Sequence, residues 1–375
     1  MIDTSDALKS LIGRAVQNKC VALDTEFVWE RTYYPMLGVV QIGFSEKENF
    51  LIDVPAIDDL APLGQLLADP TVAVVLHDAQ QDLTILRRAT GAYPRNVFDT
   101  RCAAGFAGLN SSTSLHDLLL QILGVELVNT ETRTNWLHRP LSQQQVSYAL
   151  DDVRYLLTAR QELLSRAQEF NRETWLREEL AGYDNPDLYE EKDPRQQFLR
   201  LKGTGRFSAR DLAVLRELTA WREEEARRRD RPRGHIVTDK ALVGLARRKP
   251  QSLPALKPIQ GLFRRGIRLY GGTILERIAQ GLAVRAEECP QPFGRPRDKR
   301  PFRSRLRNAL AYMKEKSVRC QIDPALVATR SEVEDLVLEG HTAAPEHHRL
   351  LRGWRREFLG AELLQLSLDA GADKQ

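Results

Sequence analysis

A chain of 375 residues is too long for one ordinary hydrophobic core, so two or three domains are expected. Its 42% hydrophobic and 28% charged residues exclude wholesale disorder and fibrous repeats, and no run approaches ~18 uninterrupted apolar residues, as a membrane-spanning helix requires. The net charge of +4 hides an asymmetry: residues 1–190 carry 16 Lys+Arg against 27 Asp+Glu, net −11, and the remainder is +15. An acidic half joined to a basic half points to metal chemistry in front and polyanion binding behind, with scattered solvated charge as the plain alternative. Cys20, Cys102, Cys289 and Cys320 lie far apart and form no CxxC pair, which argues against a disulfide framework and a structural zinc site. The N-terminus carries Asp3 and Asp6 where a signal peptide needs a basic region and an apolar run. A cytoplasmic, non-membrane protein is expected.

Ser5 to about Gln17 spaces Leu8, Leu11, Ile12 and Val16 at helical intervals, with Thr4 or Ser5 as N-cap. Apolar runs at Val21–Leu23, Leu37–Ile42 and Asn49–Val54 predict three strands, the last two joined through Ser45-Glu46-Lys47-Glu48 as a hairpin. The pattern then alternates: helix at Ala61–Ala68, strand at Val72–Leu76, helix at Ala79–Arg88, and helical periodicity over Leu115–Leu123 and from Ser142 past Leu164. A mixed sheet flanked by helices follows, ending near residues 170–190.

From about Phe207 the periodicity is helical throughout. Trp221, Ile236, Thr238, Leu242 and Leu245 recur as Tyr312, Val327, Thr329, Val333 and Leu336, a constant 91 residues later, so two copies of a small helical domain are predicted. A Pro- and Arg-rich linker, Cys289-Pro290-Gln291-Pro292 through Arg300, separates them. The domains are set at 1–190, 205–288 and 296–375. Arginine clusters at 227–233, 264–268 and 295–307 read either as phosphate contacts or as solvated faces.

Asp24-Thr25-Glu26 ends the first buried strand with two carboxylates on one face, a natural ligand pair for a hard cation and, alone, also what a solvated strand end looks like. Asp82 falls on the first turns of the helix after Val72–Leu76, where the helix dipole alone would favour an acid. Tyr148 and Asp152, four apart, share one helical face, and Asp151 points elsewhere. His77 reads as a structural hydrogen-bonding residue. Phe27, Tyr33 and Trp136 are candidate base-stacking residues or ordinary core.

Together with Arg31-Thr32-Tyr33-Tyr34-Pro35, Leu37-Gly38, Gln41, His77-x4-Asp82-Leu83, Arg133-Thr134-x-Trp136-Leu137-x-Arg139-Pro140-Leu141 and Tyr148-x3-Asp152-Val153-x-Tyr155-Leu156-Leu157, these residues make nearly the whole chain resemble the bacterial ribonuclease D family. That family belongs to the DEDD exonuclease superfamily, with tyrosine in its third motif. The resemblance implies an α/β ribonuclease-H-like exonuclease domain followed by two all-α HRDC-like domains. It implies 3′→5′ hydrolysis of RNA to nucleoside 5′-monophosphates with two Mg²⁺ or Mn²⁺ ions about 3.5–4 Å apart. Asp24, Glu26 and Asp152 would hold the ion that activates water, Asp24 would bridge, Asp82 would support the second ion, and Tyr148 would orient the water. Transfer RNA precursors are the implied substrates, with no small-molecule cofactor and no protein partner. Asn129, where lysine is common, and Asn135, where aspartate commonly precedes Trp136, depart from the pattern at positions that bind no metal. A DNA 3′→5′ exonuclease and a catalytically silent nucleic-acid scaffold are the competing readings.

Overall fold

The computed structural model describes residues 1–127, 134–291 and 299–369. Two compact units emerge: one of Met1–Phe27, Leu37–Tyr189 and the described residues after Pro296, the other of Val28–Met36 and the described part of Glu190–Arg295.

The first unit opens with α1 (Ser5–Asn18), where the Thr4 hydroxyl accepts from the Ala7 N–H at 3.4 Å. The chain continues through β1 (Cys20–Val28), β2 (Met36–Ser45), β3 (Glu48–Asp53), α2 (Ala61–Ala68), β4 (Ala73–Leu76), α3 (Gln80–Thr90), β5 (Val97–Asp99), α4 (Thr100–Phe106), α5 (Leu115–Leu123), α6 (Gln143–Arg154), α7 (Leu156–Glu169) and α8 (Glu173–Leu180). The strands form one mixed sheet in the order β3-β2-β1-β4-β5, so β1 is central. β2 and β3 are an antiparallel hairpin, as expected, whereas β4 runs parallel to both β1 and β5. Strand alternation sorts β1: Val21 and Leu23 enter a core with Val40, Ile42, Leu8 and Leu11, while Ala22 faces a second core on the other side. Asp24 and Glu26 are in phase with Ala22.

Two features depart from the expected elements. β5 and α4 were not foreseen, because three strand residues are too few to display a period. The predicted helix from Ser142 breaks at Tyr155 into α6 and α7.

The second unit contains α9 (Ala209–Arg229), α10 (Arg233–Ile236), α11 (Asp239–Arg248), α12 (Leu253–Leu256) and α13 (Arg264–Ala283) around a core that includes Leu215, Trp221, Leu242, Leu245, Ile274 and Ile278. Val28–Met36 is part of it. Backbone N–H groups of Tyr33 and Tyr34 donate to Asp230 Oδ1 at 2.9 and 3.1 Å, and the Tyr33 hydroxyl donates to Glu223 while accepting from Arg233 at 3.0 Å and Arg227 at 3.2 Å. Burial pushes the Glu223 carboxyl up, but hydrogen bonds from Arg233 and Tyr33 hold it below the usual range.

Back in the first unit, α14 (Lys299–Arg319), α15 (Pro324–Val327), α16 (Arg330–Glu339), α17 (Gly353–Arg355) and α18 (Ala361–Asp369) complete the chain. α15 and α16 repeat α10 and α11 at the predicted offset of 91, with Thr238 and Thr329 as matching N-caps. The second copy does not build a core of its own. Phe302, Leu306, Met313, Leu336, Trp354 and Phe358 are continuous with Phe106, Leu118, Leu163 and Leu176. Trp354 is 1% exposed, meets the Phe106 ring edge-on at 5.0 Å and stacks on Trp175 at 5.7 Å. Arg355 closes a fork on Glu179 at 2.6 and 2.7 Å. The linker arginines Arg295 and Arg297 lie outside the described residues.

Candidate active site

β1 delivers Asp24 and Glu26 on one face, and α6 delivers Tyr148 and Asp152 one turn apart. A capping box fixes the start of α6: Gln145 N–H donates to Ser142 Oγ at 3.1 Å, and Ser142 N–H donates to the Gln145 amide oxygen at 2.9 Å. The result brings carboxylate oxygens of Asp24, Glu26 and Asp152 within 4.8 Å of one another. Two oxygens each roughly 2.0–2.6 Å from a shared hard cation would span about that distance. Asp82 sits in the first turn of α3, 9% exposed, and its Oδ1 accepts from the Thr25 hydroxyl.

The electrostatics fit a cation-binding set. Burial raises Asp24 well above the usual carboxylate range, and the charges of Asp82, Asp152 and Glu26 add to it. Burial and then Asp152 and Asp82 push Glu26 up to about 9. Asp152 rises to about 7 through burial and the charge of Asp151, against a hydrogen bond from Tyr148, and burial takes Asp82 to about 6. Four acids that resist ionising together are stabilised by a divalent ion, and an all-oxygen set suits Mg²⁺ or Mn²⁺. Burial, followed by the charges of Asp152, Glu26 and Asp24, raises the Tyr148 phenol, so it acts as a neutral donor, here to Asp152.

These shifts carry a sign. Carboxyls raised in the folded state hold protons that the unfolded chain has released, so their contribution to stability is full below the ordinary carboxylate range and is lost as pH rises through about 6 to 9. Metal-free protein should therefore melt at lower temperature as pH is raised. The gain in Tm on replacing EDTA with Mg²⁺ should be larger at about pH 9 than at about pH 5. A gain independent of pH would count against ion binding by these carboxylates.

The remaining predicted residues are placed less uniformly. His77 lies away from the acids, its Nε2 donating to the Thr113 carbonyl at 3.2 Å and its Nδ1 facing Thr100 Oγ1 at 2.9 Å, a structural role. Asp151 pairs with Arg154 at 3.0 Å. Phe27 is half-buried at the end of β1, beside Glu26. Trp136 is 3% exposed with its ring 6.2 Å from that of Tyr148, so it packs behind the site and offers no face to a base. The Tyr33 ring and hydroxyl are committed to Arg233, Arg227 and Glu223, which gives it an anchoring role in place of the stacking considered from sequence. Asn135 keeps the acceptor that an aspartate would supply, taking the Leu137 N–H at 3.1 Å. Asn129 and Arg133 lie outside the described residues.

Four residues that the sequence offered only as parts of motifs, with no role of their own, contribute to the site. Thr25 holds Asp82. Arg139 pins the Trp136 segment to the sheet, donating to both Asp53 oxygens at 2.9 Å and to the carbonyls of Trp136 at 2.8 Å and Gly38 at 3.0 Å. Gly38 is required there: a Cβ would lie 2.5 Å from the Trp136 carbonyl oxygen. Gln41 of β2 is fully buried, with both amide atoms unpartnered among the described residues. Alternation with Val40 and Ile42 puts it on the face of the sheet opposite their core, the face shared by Asp24 and Glu26. Buried amides of this kind are normally satisfied by water or a ligand.

Comparison with known proteins agrees with this geometry. Residues 1–168 match the 3′-5′ exonuclease family and residues 211–278 the HRDC domain, which is the first helical repeat. Ribonuclease D of Desulfotalea psychrophila is 40% identical over 96% of this chain and 96% of its own, and that of Pseudomonas paraeruginosa is 38% identical over 92% and 91%. The crystal structure of Escherichia coli RNase D, described as an exoribonuclease involved in structured RNA processing, superposes with a TM-score of 0.88 at 31% identity, covering 98% of this chain and 97% of that one. Matches of this length to an RNA exonuclease displace the DNA-exonuclease and silent-scaffold readings. A central strand with two carboxylates, a third from α6 beside a neutral phenol, and full-length kinship together make the chain a member of the ribonuclease D family, the metal-dependent 3′→5′ exoribonucleases.

Proposed function

We propose that this exoribonuclease trims 3′ extensions of structured RNAs, transfer RNA precursors above all, with two Mg²⁺ or Mn²⁺ ions held by Asp24, Glu26, Asp82 and Asp152. The observation that carries the reading is the convergence of Asp24, Glu26 and Asp152 within 4.8 Å, with the Tyr148 phenol hydrogen-bonded to Asp152. When bound, such ions lower the pKa of the attacking water and stabilise the leaving 3′ oxygen. Asp24, which feels the charges of all three other acids, would be shared between the two ions, and Asp82, oriented by Thr25, would support the second. Tyr148 positions the water through its neutral hydroxyl. Phe27 is the aromatic proposed to border the terminal base.

Residues 1–190 form the exonuclease domain in this reading. Residues 205–288 form one HRDC module and 296–375 a second that shares its helix order. The four cysteines are free thiols, which supports a reducing cytoplasm, and no described helix is long and apolar enough to cross a membrane.

Digestion of 5′-labelled single-stranded RNA, of a 3′-extended transfer RNA and of a matched DNA strand, with Mg²⁺, Mn²⁺ or EDTA, tests the proposal. A metal-dependent ladder shortening from the 3′ end, fastest on the extended transfer RNA, is expected; equal rates on all three would refute the substrate assignment. Tyr148→Phe should lower kcat about 100-fold with KM little changed, the scale set by misplacing a reacting group by about 1 Å. An unaltered kcat would remove Tyr148 from the chemistry.

A further inference from the structure

The four acids are not equally supported. Asp82 accepts from the Thr25 hydroxyl and Asp152 from the Tyr148 phenol. Asp24 has the Thr25 backbone N–H and, among the described residues, no side-chain donor. Carboxylates that hold a metal are normally fixed by hydrogen bonds behind the ion, and losing that support costs about 10- to 100-fold in affinity or activity. For Asp24 the support has to come from the face of the sheet on which it lies.

Gln41 is on that face, and register puts it beside Asp24. Two residues further along β2, Gly43 adjoins Ala22 of β1: a Cβ placed on Gly43 would come 3.4 Å from the Ala22 Cβ, as close as only directly opposed residues approach. The two strands are neighbours in the sheet, and the seven residues 29–35 that join them are too few for a parallel crossover, so they run antiparallel. The next opposed pair on this face is therefore Gln41 and Asp24, with Cβ atoms about 4.5–5.5 Å apart. Gln41 is 0% exposed, and neither its Nε2 nor its Oε1 meets a partner among the described residues.

A second unmet group lies next to the first. Gly43 pairs with Asn49 of β3, whose Nδ2 donates to the Glu46 carbonyl at 3.3 Å. The Asn49 Oδ1 turns inward over Gly43, 2.5 Å from where its Cβ would stand, and is buried without a partner among the described residues. From α6 the Val153 carbonyl closes the space, 3.3 Å from the same point. An amide, a bare carbonyl oxygen and a carboxylate thus share one enclosed strip between sheet and helix. Protein interiors meet such groups with ordered water, each water making about three hydrogen bonds.

We infer that Gln41 is a positioning residue for the reaction: through buried water it holds the Asp24 carboxylate in the orientation that faces the ions. Gln41 Nε2–H donates to one water, which donates to Asp24, since an ionised carboxylate only accepts. A second water donates to Gln41 Oε1 and to Asn49 Oδ1, so Asn49 anchors the far end of the chain. The inference rests on the reading that Asp24 holds an ion, and it accounts for an amide buried in β2 among Val39, Val40 and Ile42.

The first arm of the test needs no substrate. Mn²⁺ binding to the full-length, metal-free chain is followed by EPR for the parent, Asp24→Asn and Gln41→Met. Methionine keeps the length and flexibility of glutamine and lacks the amide. Gln41→Met should weaken Mn²⁺ binding about 10- to 100-fold. In the second arm RNA cleavage is titrated with Mg²⁺. The concentration giving half-maximal rate should rise by the same factor, KM for RNA at saturating Mg²⁺ should match the parent, and excess Mg²⁺ should restore most of kcat, which it could not do for a damaged fold. A crystal structure of the parent is the third arm and decides the matter if Gln41→Met does not fold: ordered water should touch both Gln41 and Asp24.

If Asp24→Asn loses Mn²⁺ and Gln41→Met binds it as the parent does, the inference fails while the proposed ligand set stands. If Asp24→Asn binds Mn²⁺ as tightly as the parent, the ligand set fails and the inference with it. A loss of kcat that Mg²⁺ does not restore, or a crystal structure with no water in contact with both side chains, would overturn the positioning role.

Discussion

Replacing Asp24 by Asn should reduce exonucleolytic cleavage at least about 1,000-fold while RNA binding stays within about threefold of the parent. Asp24 is the carboxylate that feels all three of the other acids, so its loss should disrupt the whole of the proposed ligand set. The same substitution should raise the Tm of the metal-free protein. Burial and three neighbouring charges oppose the ionised form of Asp24, and an amide of nearly the same shape removes that opposition. The variant should also lose much of the Tm gain that Mg²⁺ gives the parent. Cleavage, melting in EDTA and melting in Mg²⁺ are thus three readouts of one side chain. Retained cleavage in the variant would sink the metal mechanism, and unchanged melting in EDTA would mean that the four acids are not under mutual strain.

The second large effect concerns stability. Trp354→Ala should cost about 3–5 kcal/mol in denaturant unfolding, the range for deleting a buried Trp side chain. The indole fills the junction between Phe106, Trp175 and Phe358, and its N–H donates to Glu179 at 2.9 Å. Glu179 is also the acceptor of the Arg355 fork, and these hydrogen bonds hold its carboxyl below the usual range despite burial. Removing Trp354 opens a cavity and thins that network. Because the core runs without a break from Phe106 to Phe358, the loss should appear in the unfolding of the exonuclease part itself. A cost below about 1 kcal/mol would mean that the last helices are an appendage.

The chemistry was easier to read in the sequence than the architecture. Asp24, Glu26, Tyr148 and Asp152 announce themselves because strand and helix periods put each pair on one face over two to four residues, a distance at which local geometry is rigid. Their meeting in space depends on β1 being central in the sheet, which no local pattern states. Asp82 was legible as a motif residue, but its tether, the Thr25 hydroxyl, belongs to a neighbour that sequence alone reads as a spacer. The aromatics illustrate the converse. Trp136 and Tyr33 sit beside the motifs in the sequence, yet one is core and the other an anchor, since an aromatic side chain supplies either role and only burial tells which. The 91-residue repeat was visible in its apolar pattern. What distinguishes the copies was not, because the core that the second one joins is defined by residues far away, at Phe106 and Trp175.

The segment Val28–Met36 belongs to the nuclease by position in the chain and to the helical repeat by packing. It runs on directly from the strand bearing Asp24 and Glu26, and its Tyr33 and Tyr34 are held by Asp230 and Glu223. This arrangement constrains inheritance. A recombination event that exchanged residues 205–288 for another lineage's module would bring a new surface to a tyrosine loop shaped for the old one. Loop and module are therefore expected to travel through evolution as a matched pair, diverging together across lineages even though more than 150 residues separate Tyr34 from Glu223 in the chain.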